Sequence, residues 1–495
     1  AYESAIKNAT VVSEQRGLGR PGLERSIFLG YTPLSETDVR SGGSSDEGAA
    51  ESLENYLNDF GIAMLARELY EQTGEQRYAD EHRWFLDRAL GYVHLFDPSV
   101  GFFQGRYADG RWRWSPADYD PRTWGYDYTE TNGWGMAFAA PHDGLGLAAL
   151  HGGRDGLATK LDEFFATPER MDDFGSYGGI IHEQREAASV QLGQWGLSNQ
   201  PAFHIPHLYL HAGRPDRAQA VIREALARHF VGGDIGQGYP GDEDTGSMSA
   251  WFVLNALGLY PLRVGTPTFV IGSPLFRSAT INLENGAKIV IEAPENSPRN
   301  VFVQGLRING EPYPRTEVPQ DLLTRGATLT FDLGPEPSDW GTGPDAAPES
   351  ITAGDRPAEP LRDLARLHGG AASSGDTPAD ALFDDTSDTE LILSGDPASV
   401  TWRFAAGTGT VELYTLTSTR GEGGDPASWE LQGSTDGESW TTLDRRNGET
   451  FPWRRQTRVF SVAEPGAYAA YRLVVTGTSG GAAPALAEVE LLGRS

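Results

Sequence analysis

The segment ESLENYLNDFGIAMLARELYEQTG, residues 51–74, decides the fold class of the first half of the chain. Its apolar residues recur three and four positions apart, which is the period of an amphipathic α-helix. Polar loops rich in aromatic residues and glycine follow, for example residues 105–134. Many helices joined by such loops predict a mainly α toroid with a pocket at one end. Further helices are predicted near residues 81–96, 136–151, 157–166, 203–211, 214–229 and 247–258.

From about residue 265 the apolar period changes to two, which is the period of a β-strand. Residues 278–293, SATINLENGAKIVIEA, and residues 300–313, NVFVQGLRINGEPY, each contain an Asn-Gly pair that predicts a tight turn between strands. A stretch rich in Pro, Gly and Ala then predicts a linker. Short strands with recurring turns resume after it, as in an all-β sandwich. The predicted regions are a helical region at 1–261, a small β region at 262–341, a linker at 342–360 and a β-sandwich at 361–495.

The composition of the chain excludes several function classes. Its 495 residues carry a formal net charge of −29 and include no cysteine. Nucleic acid is not an expected partner, because phosphate binding needs a basic surface. Disulfides and thiolate metal sites are ruled out. No signal peptide and no apolar run long enough for a membrane span is visible. The first residues resemble the middle of a domain, so we expect a mature or cut piece of a longer precursor.

An acidic loop, Gly241-Asp-Glu-Asp-Thr-Gly246, precedes a predicted helix. Asp242 and Asp244 lie two apart, so in an extended loop they point the same way. One carboxylate can then accept a proton from water while the other raises its pKa or binds a cation. The alternative is an acidic cap, favoured by the helix dipole.

A second motif, residues 128–134 (YTETNGW), contains a lone acid, Glu130. Apolar neighbours such as Trp124 and Trp134 can raise the pKa of a carboxyl group, as a general acid needs at neutral pH. Aromatic faces also stack on the apolar faces of sugar rings. The alternative is a capping Thr/Glu pair surrounded by core aromatic residues.

Two further motifs contain amide and imidazole groups. Asn199 and Gln200 offer carbonyl oxygens, which suit Ca²⁺; the alternative is a helix begun by the following proline, with His204 and His207 as packing residues. His142 and Asp143 form a neighbouring pair that is catalytic in some enzymes and more often orients a loop. No Gly-x-Ser-x-Gly elbow, P-loop or dinucleotide fingerprint is found, which argues against serine hydrolases, NTPases and dehydrogenases.

Seven stretches, taken in order, resemble glycoside hydrolase family 92, the calcium-dependent exo-α-mannosidases. They are LGYTPLSE (29–36), LENYLNDFGIAMLARELY (53–70), YTETNGWGMAFAAPHDGLGLAALHGG (128–153), LSNQPAFHIPHLYLHAGRP (197–215), GYPGDEDTGSMSAWFVLNALGLYPL (238–262), FVIGSPLF (269–276) and PSDWG (337–341). Several long motifs in the right order are much more specific than any one of them.

The resemblance implies an (α/α)₆ barrel over residues 1–261 and hydrolysis by single displacement with inversion. It places the general acid at Glu130 and the paired general base at Asp242 and Asp244. It also implies Ca²⁺ as cofactor and mannose-containing glycans (N-glycans or mannans) as substrates. The lack of cysteines and the acidic, modular build indicate a secreted protein. The residues expected to bind the metal are Asn199, Gln200 and Asp244, and those expected to bind substrate are Trp124, Trp134, His142, Asp143, Gln200 and His204.

The chain departs from the family pattern in two places. The family usually has Glu where this chain has Gln200; if the acid belongs there, the proton donor is lost. The chain would then cleave only good leaving groups, such as mannose-1-phospho-6-mannose diesters, and Arg106, Arg111, Arg113 or Arg122 would favour that alternative by lying near the pocket. The family's N-terminal β-sandwich and first barrel helices are also absent, so we expect a missing N-terminal fragment of the same precursor to complete the barrel.

Residues 361–495 resemble a discoidin-like (F5/8 type C) sandwich of the kind found in carbohydrate-binding modules. The matching stretches are residues 381–385, 429–437 with Trp440, and 487–493. The resemblance leaves open whether this sandwich binds sugar or is purely structural. A non-catalytic glycan-binding protein is therefore a further alternative for the whole chain, against which the retention of Glu130 and of the Asp242/Asp244 pair argues.

Overall fold

A computed structural model describes residues 1–13, 15, 18–35, 45–231 and 238–494. Its α-helices are α1 (Tyr2–Thr10), α2 (Leu23–Leu29), α3 (Gly48–Thr73), α4 (Gln76–Arg88), α5 (Gly133–Met136), α6 (Gly144–Leu150), α7 (Arg154–Ala166), α8 (His182–Val190), α9 (Pro215–His229), α10 (Ser247–Ala256), α11 (Gln320–Thr324) and α12 (Leu364–His368). Short 3₁₀ helices span Ala89–His94, Pro141–Asp143, Gly175–Tyr177, Gln200–Ala202, Ile205–Leu210 and Asp380–Leu382.

Most strands follow α10 along the chain, although the first two precede α5 and the helices α11 and α12 lie among the later strands. They are β1 (Phe96–Asp97), β2 (Phe102–Phe103), β3 (Leu259–Tyr260), β4 (Thr268–Ile271), β5 (Ser278–Asn282), β6 (Lys288–Glu292), β7 (Phe302–Ile308), β8 (Glu311–Pro312), β9 (Glu317–Pro319), β10 (Ala327–Gly334), β11 (Arg362–Asp363), β12 (Gly370–Ser374), β13 (Thr377–Pro378), β14 (Leu391–Ile392), β15 (Ser399–Phe404), β16 (Gly409–Thr410), β17 (Leu413–Thr417), β18 (Pro426–Ser434), β19 (Thr441–Asn447), β20 (Thr457–Ser461), β21 (Ala467–Tyr468), β22 (Ala470–Thr478), β23 (Ala485–Leu486) and β24 (Glu488–Gly493).

The order of helices followed by a β-rich region is confirmed, with local differences that have physical causes. The helix predicted over 136–151 is interrupted, because Pro141 lacks the amide hydrogen that an α-helix needs at an interior position. The segment 203–211 forms a 3₁₀ helix with a proline near its start instead of an α-helix. Both Asn-Gly turns are present: Asn309 and Gly310 have φ of 54° and 87°, which suits a tight hairpin between β7 and β8.

The chain divides into two compact units that are discontinuous in sequence. The first unit contains Ala1–Leu95, Gly105–Arg113 and Glu359–Ser495, and the second contains Phe96–Gln104 and Trp114–Ala358. The bounds of the four predicted regions and the toroid remain predictions. One residue of the quoted motifs, Glu36, lies outside the described residues.

Within the first unit, the C-terminal part is a sandwich of two main sheets. Their strand orders are β13-β12-β15-β22-β18-β19 and β11-β24-β17-β20. Large buried side chains such as Trp429, Tyr414, Tyr471 and Phe460 fill the core between them. The two-sheet β fold is thus present, while its discoidin-like identity remains a prediction.

The second unit combines α5–α11 with a sheet of order β5-β6-β10-β7-β8 and a smaller sheet, β3-β4-β9. β10 runs parallel to β6 and antiparallel to β7. Leu329, Phe331 and Ile291 are buried in its core. The candidate catalytic, metal-binding and substrate-binding residues all lie in this unit, whereas Arg106, Arg111 and Arg113 belong to the first unit. No helix in the described part of the chain is long and apolar enough to cross a membrane.

Candidate active site

The acidic loop before α10 has an unusual backbone. Asp244 and Thr245 have φ of 52° and 59°, and Gly241 and Gly246, at its two ends, also have positive φ. The expectation of an extended loop is therefore wrong at Asp244, where the chain turns through the left-handed region. Such a conformation costs free energy at residues other than glycine and is concentrated at functional sites.

Glu243 satisfies the first amide groups of α10. Its carboxylate accepts hydrogen bonds from the backbone N–H of Gly246 at 2.6 Å and of Ser249 at 3.2 Å. Hydrogen bonds from Ser249 and Gly246 lower the pKa of Glu243. The sequence left open whether the acidic loop caps the helix; Glu243 is the residue that does so. Asp242 and Asp244 are exposed on either side of it.

Glu130 lies on a second turn with left-handed backbone, at φ 56°. Its backbone N–H donates to the hydroxyl of Tyr177 at 2.6 Å, which holds the turn against the segment Gly175–Tyr177. Its carboxylate accepts a hydrogen bond from the side-chain amide of Asn199 at 3.1 Å. Glu130 is exposed, so its carboxylate is accessible to a bound substrate.

Asn199 and Gln200 bring the two acidic motifs together. The amide of Asn199 binds Glu130, and the amide of the next residue, Gln200, donates to the carboxylate of Asp244 at 2.6 Å. Gln200 also donates to the hydroxyl of Ser247 at 3.2 Å. The candidate acid and one candidate base, 114 positions apart in sequence, are therefore held by two consecutive amide side chains.

Two close contacts fix the acidic loop against the segment that contains these amides. The indole N–H of Trp251, on α10, donates to the carbonyl of Phe203 at 3.1 Å. Gly241 approaches Ser198 so closely that a Cβ atom at position 241 would lie 2.1 Å from the Cβ of Ser198. Only glycine fits at this position, which also needs φ of 62°.

The two predicted sugar-stacking tryptophans are packed side chains. Trp124 is 4% exposed, and its indole N–H donates to Glu169 at 3.1 Å. Trp134 is 8% exposed, and its ring packs edge-on against Phe102 with centroids 4.8 Å apart. Of the aromatic residues in this loop, Tyr126 is more accessible, at 36%. The alternative of core aromatic residues describes the two tryptophans better.

His142 and Asp143 are fully buried. One carboxylate oxygen of Asp143 accepts three hydrogen bonds, from the hydroxyl of Ser350 at 2.5 Å and from the backbone N–H and hydroxyl of Thr352, both at 2.9 Å. The side chain thus secures a distant loop of the same unit. This is the loop-orienting role that the sequence left as the alternative.

The side chains of His204 and His207 pack against neighbouring residues inside the unit. A ring nitrogen of His204 lies 2.8 Å from the carbonyl oxygen of Phe138. The ring of His207 stacks on Tyr260 with centroids 4.2 Å apart. Burial lowers the pKa of His204 to about 4 and that of His207 to about 3, so both are neutral at physiological pH.

A charged cluster on α8 was not predicted from the sequence. His182 lies 2.8 Å from the carboxylate of Glu183 and 3.2 Å from that of Glu186. Burial alone would lower the pKa of His182, but the hydrogen bond to Glu186 and the charges of Glu183, Glu186 and Asp242 together raise it. Burial is the main cause of a raised pKa at Glu183, and the negative charge of Glu130 raises it further. The cluster therefore adjoins both candidate acidic motifs. The spacing of His182 and Glu186, four apart on a helix, was the available signal.

The oxygen-bearing side chains at the site fit a hard cation. The described residues contain no group of three His, Cys, Asp or Glu side chains placed to hold a metal ion. A cation here would therefore depend on amide oxygens as well as carboxylates. Asn199 and Gln200 carry one amide oxygen each, and their amide nitrogens donate to the carboxylates of Glu130 and Asp244. Amide and carboxylate oxygens are the ligands that Ca²⁺ accepts.

A separate cavity of about 440 Å³ lies in the first unit. Arg20, Asp59 and Glu490 are among the residues that line it. Of the residues considered above, Arg106 lines this cavity, whereas the candidate catalytic, metal-binding and substrate-binding residues, all of them described, do not. The cavity is therefore not part of the candidate site.

Comparison with known proteins gives consistent relatives. The family model of the glycosyl hydrolase family 92 catalytic domain matches residues 1–335. An uncharacterized secreted glycosidase of Arthroderma benhamiae is 27% identical over 378 residues, which are 72% of this chain and 44% of that protein. This chain thus spans less than half the length of that curated relative.

Two solved structures from Bacteroides thetaiotaomicron are also similar to this chain. The family GH92 α-mannosidase BT3965 has 26% sequence identity and a TM-score of 0.62, covering 74% of this chain and 43% of that one. The family GH92 inverting mannosidase BT2199 has 31% identity and a TM-score of 0.59, covering 71% and 45%.

Proposed function

The chain belongs to glycosyl hydrolase family 92, and we propose that it is an exo-acting α-mannosidase that removes terminal mannose from N-glycans or mannans with inversion. Two similar solved structures are described as mannosidases, one of them inverting, which supports the reaction class. The observation that carries the proposal is the contact of Asn199 with Glu130 and of Gln200 with Asp244. Two exposed carboxylates from distant loops are thereby linked through neighbouring amides, which supports a two-carboxylate mechanism.

In the proposed reaction, the two motifs have separate tasks. Glu130 protonates the glycosidic oxygen of the leaving group as the bond from that oxygen to the anomeric carbon breaks. Asp242 and Asp244 act as the paired base, which takes a proton from the water that attacks the opposite face of that carbon. Asn199, bonded to Glu130, orients the acid. Glu243 is engaged with the helix terminus and is not assigned a role in proton transfer.

We assign calcium to the oxygen-bearing side chains Asn199, Gln200 and Asp244. When bound, Ca²⁺ would hold sugar hydroxyls and favour the distorted ring of the transition state. Its ligands here include only one charged group, because Gln200 replaces the Glu that the family usually has. We therefore expect weaker binding of Ca²⁺ than in relatives that retain the glutamate.

A second candidate, hydrolysis of mannose-1-phospho-6-mannose diesters, has one observation in its favour. Gln200 donates to Asp244 at 2.6 Å, so it lies within the candidate site, and if the general acid belongs at position 200 an amide cannot supply the proton. A phosphate can leave without being protonated, so this substrate tolerates the loss. The arginines considered for phosphate binding have local partners: Arg106 donates to the carbonyls of Gly110 and His94, Arg111 to Asp109, Arg113 to the carbonyl of Asp46 and Arg122 to Asp120. The ordinary mannosidase is therefore the first proposal.

The secreted location is also a proposal. It is supported by the description of the Arthroderma benhamiae relative as a secreted glycosidase. The absence of cysteine is compatible with either side of the membrane, so the relative carries this argument.

The experiment that tests the function compares two substrates. Mannose release is measured from α-1,2-mannobiose and from a mannose-phosphate-mannose diester, each with Ca²⁺ and with EGTA. We expect cleavage of the mannobiose that EGTA abolishes, with β-mannose as the first product by NMR. Cleavage of the diester alone would favour the second candidate. Binding of mannosides without hydrolysis of either substrate would favour a glycan-binding protein instead.

A further inference from the structure

One face of helix α4 carries charged residues that meet the C-terminal sandwich. Asp80, Arg83, Trp84 and Asp87 follow the spacing i, i+3, i+4, i+7, which places them on the same side of the helix. Asp80 is 1% exposed and Trp84 3% exposed. A charged side chain is rarely buried to this extent unless it is paired. The partners of these residues, all in the first unit, identify what covers the face.

Arg446, on β19 of the sandwich, is the partner of Asp80. Its guanidinium donates to the carboxylate of Asp80 at 2.9 Å, to that of Asp444 at 2.8 Å and to the carbonyl of Ser461 at 2.7 Å. The side chain of Arg446 is 11% exposed. The pair is therefore buried on both sides, and removal of one partner from such a pair is strongly destabilising.

The pair is connected to the core of the sandwich. Asp444, which shares the guanidinium of Arg446, accepts a hydrogen bond from the hydroxyl of Tyr414 at 2.7 Å. That hydroxyl accepts one from the indole N–H of Trp429 at 2.8 Å. Tyr414 and Trp429 are among the largest fully buried side chains of the chain. Contacts within the sandwich therefore orient the guanidinium of Arg446 independently of its contact with α4.

Two further contacts flank the buried pair. Arg83 forms an ion pair with Glu412, and the carboxylate of Asp87 accepts the backbone N–H of Leu361 at 3.0 Å. Burial raises the pKa of Asp87 to about 6. Each charged residue on this face of α4 therefore has a partner in residues 361–494.

The contact also covers strand edges that would otherwise be open. β19 and β20 are the last strands of the two main sheets. α4 packs on β20, and Val11, just after α1, forms a β-bridge with Gln456, just before β20. Exposed strand edges favour aggregation, and proteins cover them with a helix or loop. The N-terminal helices perform this role for the sandwich.

We infer that the C-terminal sandwich is permanently docked on α4 through the Asp80–Arg446 pair, and is not a module that moves freely on a linker. Residues 359–495 are then a structural part of the first unit, whether or not they bind sugar. The orientation of any ligand on the sandwich is fixed relative to the N-terminal helices.

Cleavage of the connecting chain tests this docking. A protease recognition sequence is inserted in the full chain after Asp355, which is exposed. After cutting, the two fragments are analysed by size-exclusion chromatography and their affinity is measured by dilution. We expect the fragments to elute together. Separation of two fragments that each retain their circular dichroism spectrum would overturn the inference.

Charge variants in the cut protein identify the contact. Asp80→Ala leaves Arg446 without its partner on α4, and we expect the fragments to bind about tenfold more weakly or worse. Arg445→Asp is the matched control: Arg445 neighbours Arg446 on β19, but its side chain is 68% exposed and pairs with Glu430 inside the sandwich. Equal effects of the two variants would contradict the assignment.

A charge exchange at the exposed rim covers the case in which Asp80→Ala fails to fold. Arg83→Glu and Glu412→Arg each place like charges together, so each single variant should weaken association by a few-fold. The double variant should restore it. Failure of the double variant to recover, with both single variants folded and weakened, would exclude a direct contact between α4 and the sandwich.

Discussion

Glu243 and Asp244 are neighbours in one acidic loop, but their side chains have different surroundings. Glu243 accepts two backbone N–H groups of α10, and Asp244 is exposed and contacts Gln200. We expect Asp244→Asn to lower kcat for mannose release by about 100- to 10,000-fold, which is the usual contribution of a general base. Thermal stability should change little. Initial rates and melting temperatures measure the two effects.

Glu243→Gln is the comparison for this prediction, because it has the opposite profile. The neutral amide keeps an acceptor oxygen but loses the charge that favours the helix N-terminus, so we expect a small loss of stability and a small change in kcat. If Glu243→Gln abolishes activity while Asp244→Asn retains it, the roles of the two residues are reversed.

Gln200 is the residue at which two catalytic schemes differ. In Gln200→Glu, a second carboxylate replaces the amide that donates to Asp244 at 2.6 Å. Two adjacent carboxylates do not both ionise easily, so the pKa of one of them rises. With Glu130 as the acid, we expect a lower kcat/KM for α-1,2-mannobiose. We also expect the apparent pKa of the general base, which sets the acidic-side limb of the pH–rate profile, to move upward. A gain in mannobiose cleavage would instead place the proton donor at position 200.

At the scale of secondary structure, the sequence predicted elements with regular periods and failed where backbone geometry depends on contacts. The period-two strands and the Asn-Gly turns are present, since both depend on local chemistry. Helix α8 was missed, because its nine residues are mostly polar and lack an apolar stripe. The positive φ of Glu130 and Asp244 depends on tertiary contacts and has no local signature. Side-chain burial also depends on tertiary contacts. The sequence therefore could not show that Trp124 and Trp134, predicted to bind substrate, are buried.

Strand β24 offers a test of buried charge. Glu490 is 3% exposed, and burial, followed by the charges of Asp363 and Asp385, raises its pKa well above the usual value. A raised folded-state pKa contributes stability below the unfolded-state pKa of about 4.3, and this stability is lost as the pH rises. Glu490→Gln cannot lose a proton, and its amide oxygen can still accept the hydroxyl of Thr415. We expect it to match the wild type near pH 4 and to melt a few degrees higher at pH 8.

The half-buried Glu430 on β18 provides the control of opposite sign. Hydrogen bonds from Gln432 and Thr442 lower its pKa, so its charged form contributes stability above the unfolded-state pKa. Glu430→Gln should therefore lose stability at pH 8 and not at pH 4. Melting curves of both variants between pH 4 and pH 8 decide the matter. A Glu490→Gln variant that is less stable at pH 8 would mean that the carboxylate has a compensating partner.

At the scale of the whole molecule, the first unit joins residues from both ends of the chain. Ala1–Leu95 and Glu359–Ser495 belong to one unit, so the N-terminal helices depend on strands more than 250 residues away in sequence. Truncation after Ala358 removes the partners of Asp80, Arg83 and Asp87. We expect amide hydrogen exchange in α4 to accelerate by at least about tenfold, since opening no longer has to break these contacts. Helix α9, in the second unit, is the internal reference and should exchange at its original rate. Unchanged protection of α4 in the truncated protein would show that the sandwich does not support it, whereas equal acceleration in α9 would mean that the whole chain is destabilised.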